Sequence, residues 1–406
     1  MDEGAGLRAV LRHRRFRWLT LGRTTGFLGN AIAPIALAFA VLDLTGSVTD
    51  LGVVVGLRSV AAVGLILVGG VLADRLPRAV LLQGAALAAA ASAALLAVAV
   101  LGGFATIPLL AAIGVVNGAV AAMSLPAAYS ITPETVPASM LQAANAIVRI
   151  GTNTGAIVGA SAGGLLVAVI GPGGAMVVVA SVFLGEAACF VAVRGGARPV
   201  PRPRAHPLAE LREGWAEFVR RPWVWIVVLQ FMVVNAVVSG GQHVLGPAIA
   251  DDTFGRTAWG VALAAQTAGA VVGGLIAARW LPDRALLFGV ALTAVFAVPL
   301  LVLGQFPHLA ALVPAMFVAG LAIEQFAVAW DMSLQRNVPG DRLARVYSYD
   351  MLGSAAALPA GQIAVGPIAA ALGPATTLTW GFVLVVVVTV AAASTRGVRT
   401  LRARQS

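Results

Sequence analysis

The sequence predicts an all-α integral membrane protein of twelve transmembrane helices in two pseudo-symmetric six-helix bundles, with both termini cytoplasmic. Three observations predict it. The chain is 59% hydrophobic and 11% charged, with a mean hydropathy of +0.92; an ordinary soluble domain carries about 25% charge. Its apolar residues gather into twelve stretches, each near the roughly 20 residues needed to cross a bilayer. All 27 basic residues are arginine, and their spacing is asymmetric.

With the N-terminus inside, 23 arginines flank the inner side. They occupy the N-terminal tail (Arg8, Arg12, Arg14, Arg15, Arg17), the loop after span 2 (Arg75, Arg78), the mid-chain connection (Arg194 to Arg221), the loops after spans 8 and 10 (Arg279, Arg284, Arg336, Arg342, Arg345), and the C-terminal tail (Arg396, Arg399, Arg402, Arg404). The outer side holds Arg256, while Arg23, Arg58 and Arg149 fall inside spans. The positive-inside rule then fixes an even number of spans. A net charge of +10 fits an anionic lipid face better than nucleic acid, because the arginines edge the membrane.

The spans run over roughly 17–42, 49–73, 79–101, 104–128, 138–169 and 174–193, then 223–249, 257–281, 285–304, 309–332, 343–371 and 375–394. The first follows a basic tail and merges into further spans, so it reads as a span rather than a cleaved signal. Residues 1–193 form the N-terminal bundle, 194–222 a cytoplasmic linker, and 223–406 the C-terminal bundle and basic tail. The linker opens rich in Gly, Pro and Arg. Leu208, Leu211, Trp215, Phe218 and Val219 then recur at helical spacing opposite Glu210, Glu213 and Glu217, as in a helix lying on a membrane face. Cys189 stands alone in an apolar run and reads as a packing residue.

The halves repeat. Gly69-Gly-Val-Leu-Ala-Asp-Arg returns as Gly273-Gly-Leu-Ile-Ala-Ala-Arg, and Val136-Pro137 as Val338-Pro339. Six spans preserve orientation on duplication, so the repeats are parallel, an arrangement that places substrate between repeats in transporters.

Gly70-Val-Leu-Ala-Asp74-Arg75-Leu-Pro77-Arg78 resembles the loop signature of the major facilitator superfamily, with Pro77 where that family usually has Gly. The resemblance implies a conformational latch in which Gly70, Asp74, Arg75 and Arg78 hold spans together and release on switching. Span 5 carries Gly155, Gly159, Gly163 and Gly164, similar to the superfamily's antiporter element but with Ala160 where Pro is usual. The segments Trp330 to Pro339 and Leu343 to Ser348, with Phe16-Arg17-Trp-Leu and Leu44-Thr-Gly-Ser47 at the two ends of the first span, resemble the macrolide-efflux and enterobactin-exporter branch. The resemblance implies a central cavity formed by spans 1, 4, 7 and 10.

Ionisable residues in a span usually face a cavity or a partner. The deepest are Arg58, Arg149, Glu186, His243 and Glu324, with Arg23, Asp331 and Asp350 toward the inner ends and Asp43 toward the outer end of span 1. Glu324 is expected to be the principal proton carrier, with Asp331 or Asp350 as relay; Asp43 is a further proton-coupling candidate. Burial and a nearby arginine move a carboxylate's pKa oppositely, so a site that changes surroundings can load and release a proton. Arg58 and Arg149 keep their charge and suit a gate or an anion anchor. Asn30, Asn117, Asn235 and His243 are further candidates to line the cavity.

The expected function is proton-coupled export of amphipathic drugs or secondary metabolites across the inner membrane of a bacterium. The partners are a small-molecule substrate, protons and membrane lipids. The protein is expected to be a monomer without cofactor, metal or nucleic acid. Uptake or exchange of a small anionic solute, and a non-transporting receptor or scaffold, are the alternatives. No Walker, HExxH or GxSxG pattern points to an enzyme.

Overall fold

The computed structural model describes residues 9–73, 77–193, 215, 218–280 and 282–401. Among these, the secondary structure is helical. Eleven helical segments are long and apolar enough to cross a membrane. One of them, Ala138–Val193, contains two helices joined at Gly171, where φ is 71° and ψ is 169°. Only glycine adopts that backbone readily, and Pro172 then restarts the helix at a position where no N–H is needed. Among the described residues the spans therefore number twelve.

In chain order they are α1 (Arg14–Thr45), α2 (Val48–Ala73), α3 (Arg78–Leu101), α4 (Ile107–Ser130), α5 (141–170), α6 (172–193), α7 (Pro222–Asp252), α8 (Arg256–Ala277), α9 (Ala285–Gln305), α10 (Leu309–Asn337), α11 (Gly340–Leu372) and α12 (Pro374–Ser394). Local chemistry sets several ends. Gly46 closes α1 in the left-handed conformation, its N–H bonding the Leu42 carbonyl at 2.8 Å. Ser47 Oγ then accepts the Asp50 N–H at 3.1 Å, capping the start of α2.

Two irregular turns inside spans have proline causes. In α9, Pro299 has no N–H for the Val295 carbonyl. Val298 donates to it instead, and the turn Thr293–Ala297 tightens to 3-10. In α7, Pro247 likewise cannot reach the His243 carbonyl; Gly246 donates to Gly241, and Gly241–Leu245 widens into a π turn. Hydrophobic patterning alone carries neither detail.

The expected repeat recurs in backbone geometry. Pro137 and Pro339 precede α5 and α11 with φ/ψ of −59°/152° and −54°/140°. Gly171 and Gly373, the same 202 residues apart, are both positive-φ glycines followed by proline, between spans 5 and 6 and between spans 11 and 12. Gly118 and Gly320 share that spacing. A Cβ on Gly118 would overlap the Arg58 carbonyl of α2, and one on Gly320 the Gln266 carbonyl of α8.

The chain forms two compact units. One comprises residues 1–50, 57–202 and 256–264, and the other 51–56, 203–255 and 265–406. In the first unit, α1 lies between α5 and α6 on glycine contacts. Cβ atoms on Gly155 and Gly159 of α5 would press on the Thr24 and Leu28 carbonyls, while Gly22, Gly26 and Gly29 of α1 receive Phe190, Glu186 and Phe183 of α6. Small residues at such spacing let helices approach closely in lipid, where packing replaces the hydrophobic drive.

In the second unit a buried polar tie joins three spans. Gln230 Nε2 of α7 donates to Thr293 Oγ1 of α9 at 2.5 Å and to Thr389 Oγ1 of α12 at 3.2 Å, and the two threonine hydroxyls lie 2.9 Å apart. Gln230→Ala should cost about 1–3 kcal/mol by leaving the hydroxyls short of a partner. Thermal unfolding in detergent checks this; an unchanged midpoint counts against it.

Candidate functional site

Each unit holds a largely apolar cavity edged by polar side chains. In the first, a cavity of about 250 Å³ is lined by Arg23, Gly26, Phe27 and Asn30 of α1, by Asn117 and Ser124 of α4, and by Phe183 and Glu186 of α6, over an apolar floor from α3. Arg23 donates to the Ala128 carbonyl and lies 5.7 Å from the centre of the Phe27 ring. Asn30 Nδ2 donates to the Gly26 carbonyl at 2.9 Å. Pro34, one turn on, has no N–H for the Asn30 carbonyl, which frees a backbone acceptor at the cavity's edge.

A smaller void of about 30 Å³ adjoins, lined by Arg58, Asn117, Ser92, Pro34 and apolar neighbours. It has room for about one or two waters. Arg58 Nε donates to Asn117 Oδ1 at 3.1 Å, so one asparagine borders both spaces. Arg149 lies on an exposed face of α5 and is not among the described residues lining either space.

In the second unit, a cavity of about 340 Å³ is lined by Phe231 and Asn235 of α7, Phe326, Trp330 and Asp331 of α10, and Asp350, Met351 and Ser354 of α11. Phe231 stacks on Phe326 at 4.8 Å and Phe326 on Trp330 at 6.4 Å, giving a continuous aromatic wall. Asp350 Oδ2 accepts the Trp330 indole N–H at 2.9 Å, and Oδ1 accepts Ser354 Oγ at 3.3 Å. Asp331 Oδ1 accepts the Tyr347 hydroxyl at 3.0 Å. Asn235 Nδ2 donates to the Ser354 carbonyl at 2.8 Å. Pro359 leaves the Ala355 carbonyl, also on the cavity wall, without its helical donor. Both cavities thus combine a span asparagine with a proline-freed carbonyl, the kind of irregular backbone that membranes tolerate around cavities.

The other expected residues lie apart from these cavities. Glu324 runs along α8, where a Cβ on Gly274 would sit 3.2 Å from its Cγ, and it is not among the described lining residues. His243 is exposed in the π turn of α7, its Nδ1 3.2 Å from the Ser239 carbonyl. Asp43 makes a two-pronged pair with Arg256, at 2.5 and 3.0 Å, and that guanidinium covers the Phe39 ring at 4.7 Å. The acid and the arginine that the sequence assigns to the outer side therefore meet. On the side assigned as inner, Arg78 pairs with Glu134 at 2.7 Å and donates to the Ser130 carbonyl, while Arg15 bonds the Val193 carbonyl. Gly70 falls in α2; Asp74 and Arg75 of the expected latch lie outside the described residues, as do 194–214, 216 and 217 of the linker.

The span 5 glycines divide their work. Gly155, Gly159 and Gly163 face α1, whereas a Cβ on Gly164 would meet the Arg256 carbonyl of α8 at 2.5 Å. The aromatic wall and Ser354 are cavity residues that the sequence reading did not single out. The four-residue spacing of Phe326 and Trp330 is their one local signal, and buried helix packing gives the same spacing.

Among the described residues, twelve apolar spans and an internal cavity in each unit define a multi-pass membrane protein. The family model for the Major Facilitator Superfamily matches residues 19–359, and the chain belongs to that family. The chain is 28% identical over 277 residues to the enterobactin exporter EntS of Escherichia coli O1:K1 / APEC, a match covering 66% of this chain and 64% of that protein. It therefore spans about 64% of the length of the curated relatives it matches. Among solved structures, the nucleoside transporter NupG superimposes with a TM-score of 0.74 at 13% identity, covering 93% of this chain and 97% of that one. A bacterial homolog to the human lysosomal transporter Spinster gives 0.71 at 17% identity, with 96% of each chain covered. These likenesses support the fold; the family match sets aside an enzyme.

Proposed function

We propose that this transporter exports amphipathic drugs or secondary metabolites, driven by the proton gradient, through alternating access in the cytoplasmic membrane of a bacterium. The observation that carries this reading is the cavity of the second unit. Its stacked aromatic wall accommodates an apolar or planar body, and Asp331 and Asp350 supply acceptors for amine or hydroxyl donors. The export activity named for the Escherichia coli relative supports the direction. Carboxylates within the spans supply proton coupling: Glu324, Asp331 and Asp350 remain the candidate carriers, and Asp74 with Arg75 and Arg78 the candidate latch. Both termini then face the cytoplasm, where anionic lipid attracts the arginine-rich tails.

Energised inside-out vesicles test the proposal with fluorescent amphipathic cations and labelled metabolites. Accumulation that collapses with a protonophore is the expected result, and Glu324→Gln should abolish coupling at unchanged expression. Accumulation insensitive to the protonophore counts against proton coupling, and accumulation only in right-side-out vesicles counts against export.

A further inference from the structure

We infer that Glu186 is a proton-exchanging carboxylate of the first unit, with Arg23 as its fixed counter-charge; this rests on the proton-coupled reading above. The α6 face carrying Phe183, Glu186 and Phe190 packs on the glycines of α1, and the Glu186 carboxylate occupies the space that a side chain on Gly26 would fill. Glu186 and Gly26 both line the 250 Å³ cavity, together with Asn30, Asn117 and Ser124.

The surrounding charges are few. From α1 comes Arg23, which lines the same cavity as Glu186. From α6 itself comes the neutral Cys189 thiol, one turn on, against Gly22 of α1. The described lining residues of α3 are apolar and those of α4 neutral, while Arg58 of α2 reaches only the far side through Asn117. A guanidinium does not release its proton at physiological pH, so the carboxylate is the member of the pair that titrates. Hydronium in the cavity gives its proton to a Glu186 oxygen, forming an O–H bond and leaving water; release reverses the step. The pair passes from net zero to +1, a change of charge inside a low-dielectric wall that favours a different exposure to water.

The sequence marks Glu186 as a single ionisable residue within an apolar span. What distinguishes it is the glycine that receives it from α1.

The test uses the full chain in lipid. Infrared difference spectra across a pH titration should show a protonated-carboxyl C=O band in the wild type that Glu186→Gln removes. In proteoliposomes with ethidium as probe, the same variant should lose pH-gradient-driven accumulation by more than tenfold while retaining counterflow at equal pH within about twofold. An unchanged infrared band, or undiminished gradient-driven accumulation, overturns the assignment. Should Glu186→Gln fail to fold, Glu186→Asp is expected to shift the band and the pH profile of accumulation; unshifted values overturn it equally. A titrating Glu186 band in a wild-type protein that shows no gradient-driven accumulation would instead overturn the proton-coupled function while leaving the titrating site in place.

Discussion

Asp350→Asn should weaken the apparent affinity for an amine-bearing amphipathic substrate by about 10- to 100-fold, while a neutral analogue of the same shape loses much less. The side chain bridges α10 and α11 through the Trp330 indole and the Ser354 hydroxyl, and it faces the aromatic cavity. A hydrogen bond to a charged group contributes about 1.5–3 kcal/mol, which sets that range. Asn keeps one oxygen for the indole N–H and is close to isosteric, so the helices should stay in place. Asp350→Ala removes the acceptor altogether and should also lower the thermal midpoint. The concentration dependence of vesicle accumulation, normalised to protein, measures the first effect. Equal losses for the charged and neutral analogues would show that the carboxylate acts on the fold rather than on the substrate.

Gly155→Leu should strongly destabilise the first unit. A Cβ there already overlaps the Thr24 carbonyl, which is backbone within α1 and cannot rotate away. Overpacking costs about 1–3 kcal/mol and sometimes more. In this case the strain is transmitted along a contact that continues through Gly159 to the Leu28 carbonyl. Val169→Leu, on the exposed face of the same helix, is the control. Thermal unfolding in detergent should separate the two by several degrees; equal midpoints would mean that α1 and α5 do not depend on their close approach.

Much of the fold is legible in the sequence because membrane insertion leaves a one-dimensional record. A span must be apolar over a fixed length, and arginines must stay on one side, so length and charge mark each crossing. The break between α5 and α6 is equally plain, since Gly171-Pro172 permits few other backbones. The proline-driven turns in α7 and α9 were hidden, because proline is common in membrane helices and its effect depends on which carbonyl it abandons.

The candidate site was legible only in kind. Intramembrane charges stand out by their rarity, which brings Arg23, Arg58, Glu186, Asp331 and Asp350 into view. Their facing does not. Glu324 and Asp331 share α10, seven residues apart, yet the first runs along α8 and the second opens on the aromatic cavity. The helix period places them within a small rotation of each other, so neighbours in space decide the difference.

By itself the sequence determined the all-helical membrane class, the number of spans, the repeat and the expected orientation, because each follows from the cost of putting charge and unpaired backbone in hydrocarbon. The tertiary structure alone decided which glycines receive which neighbours, that Asp43 meets Arg256 across 213 residues, and that Glu186 and Asp350 border cavities. Contacts between helices depend on rotation and depth, and a pattern uniformly rich in Ala, Gly and Val specifies neither until the helices pack.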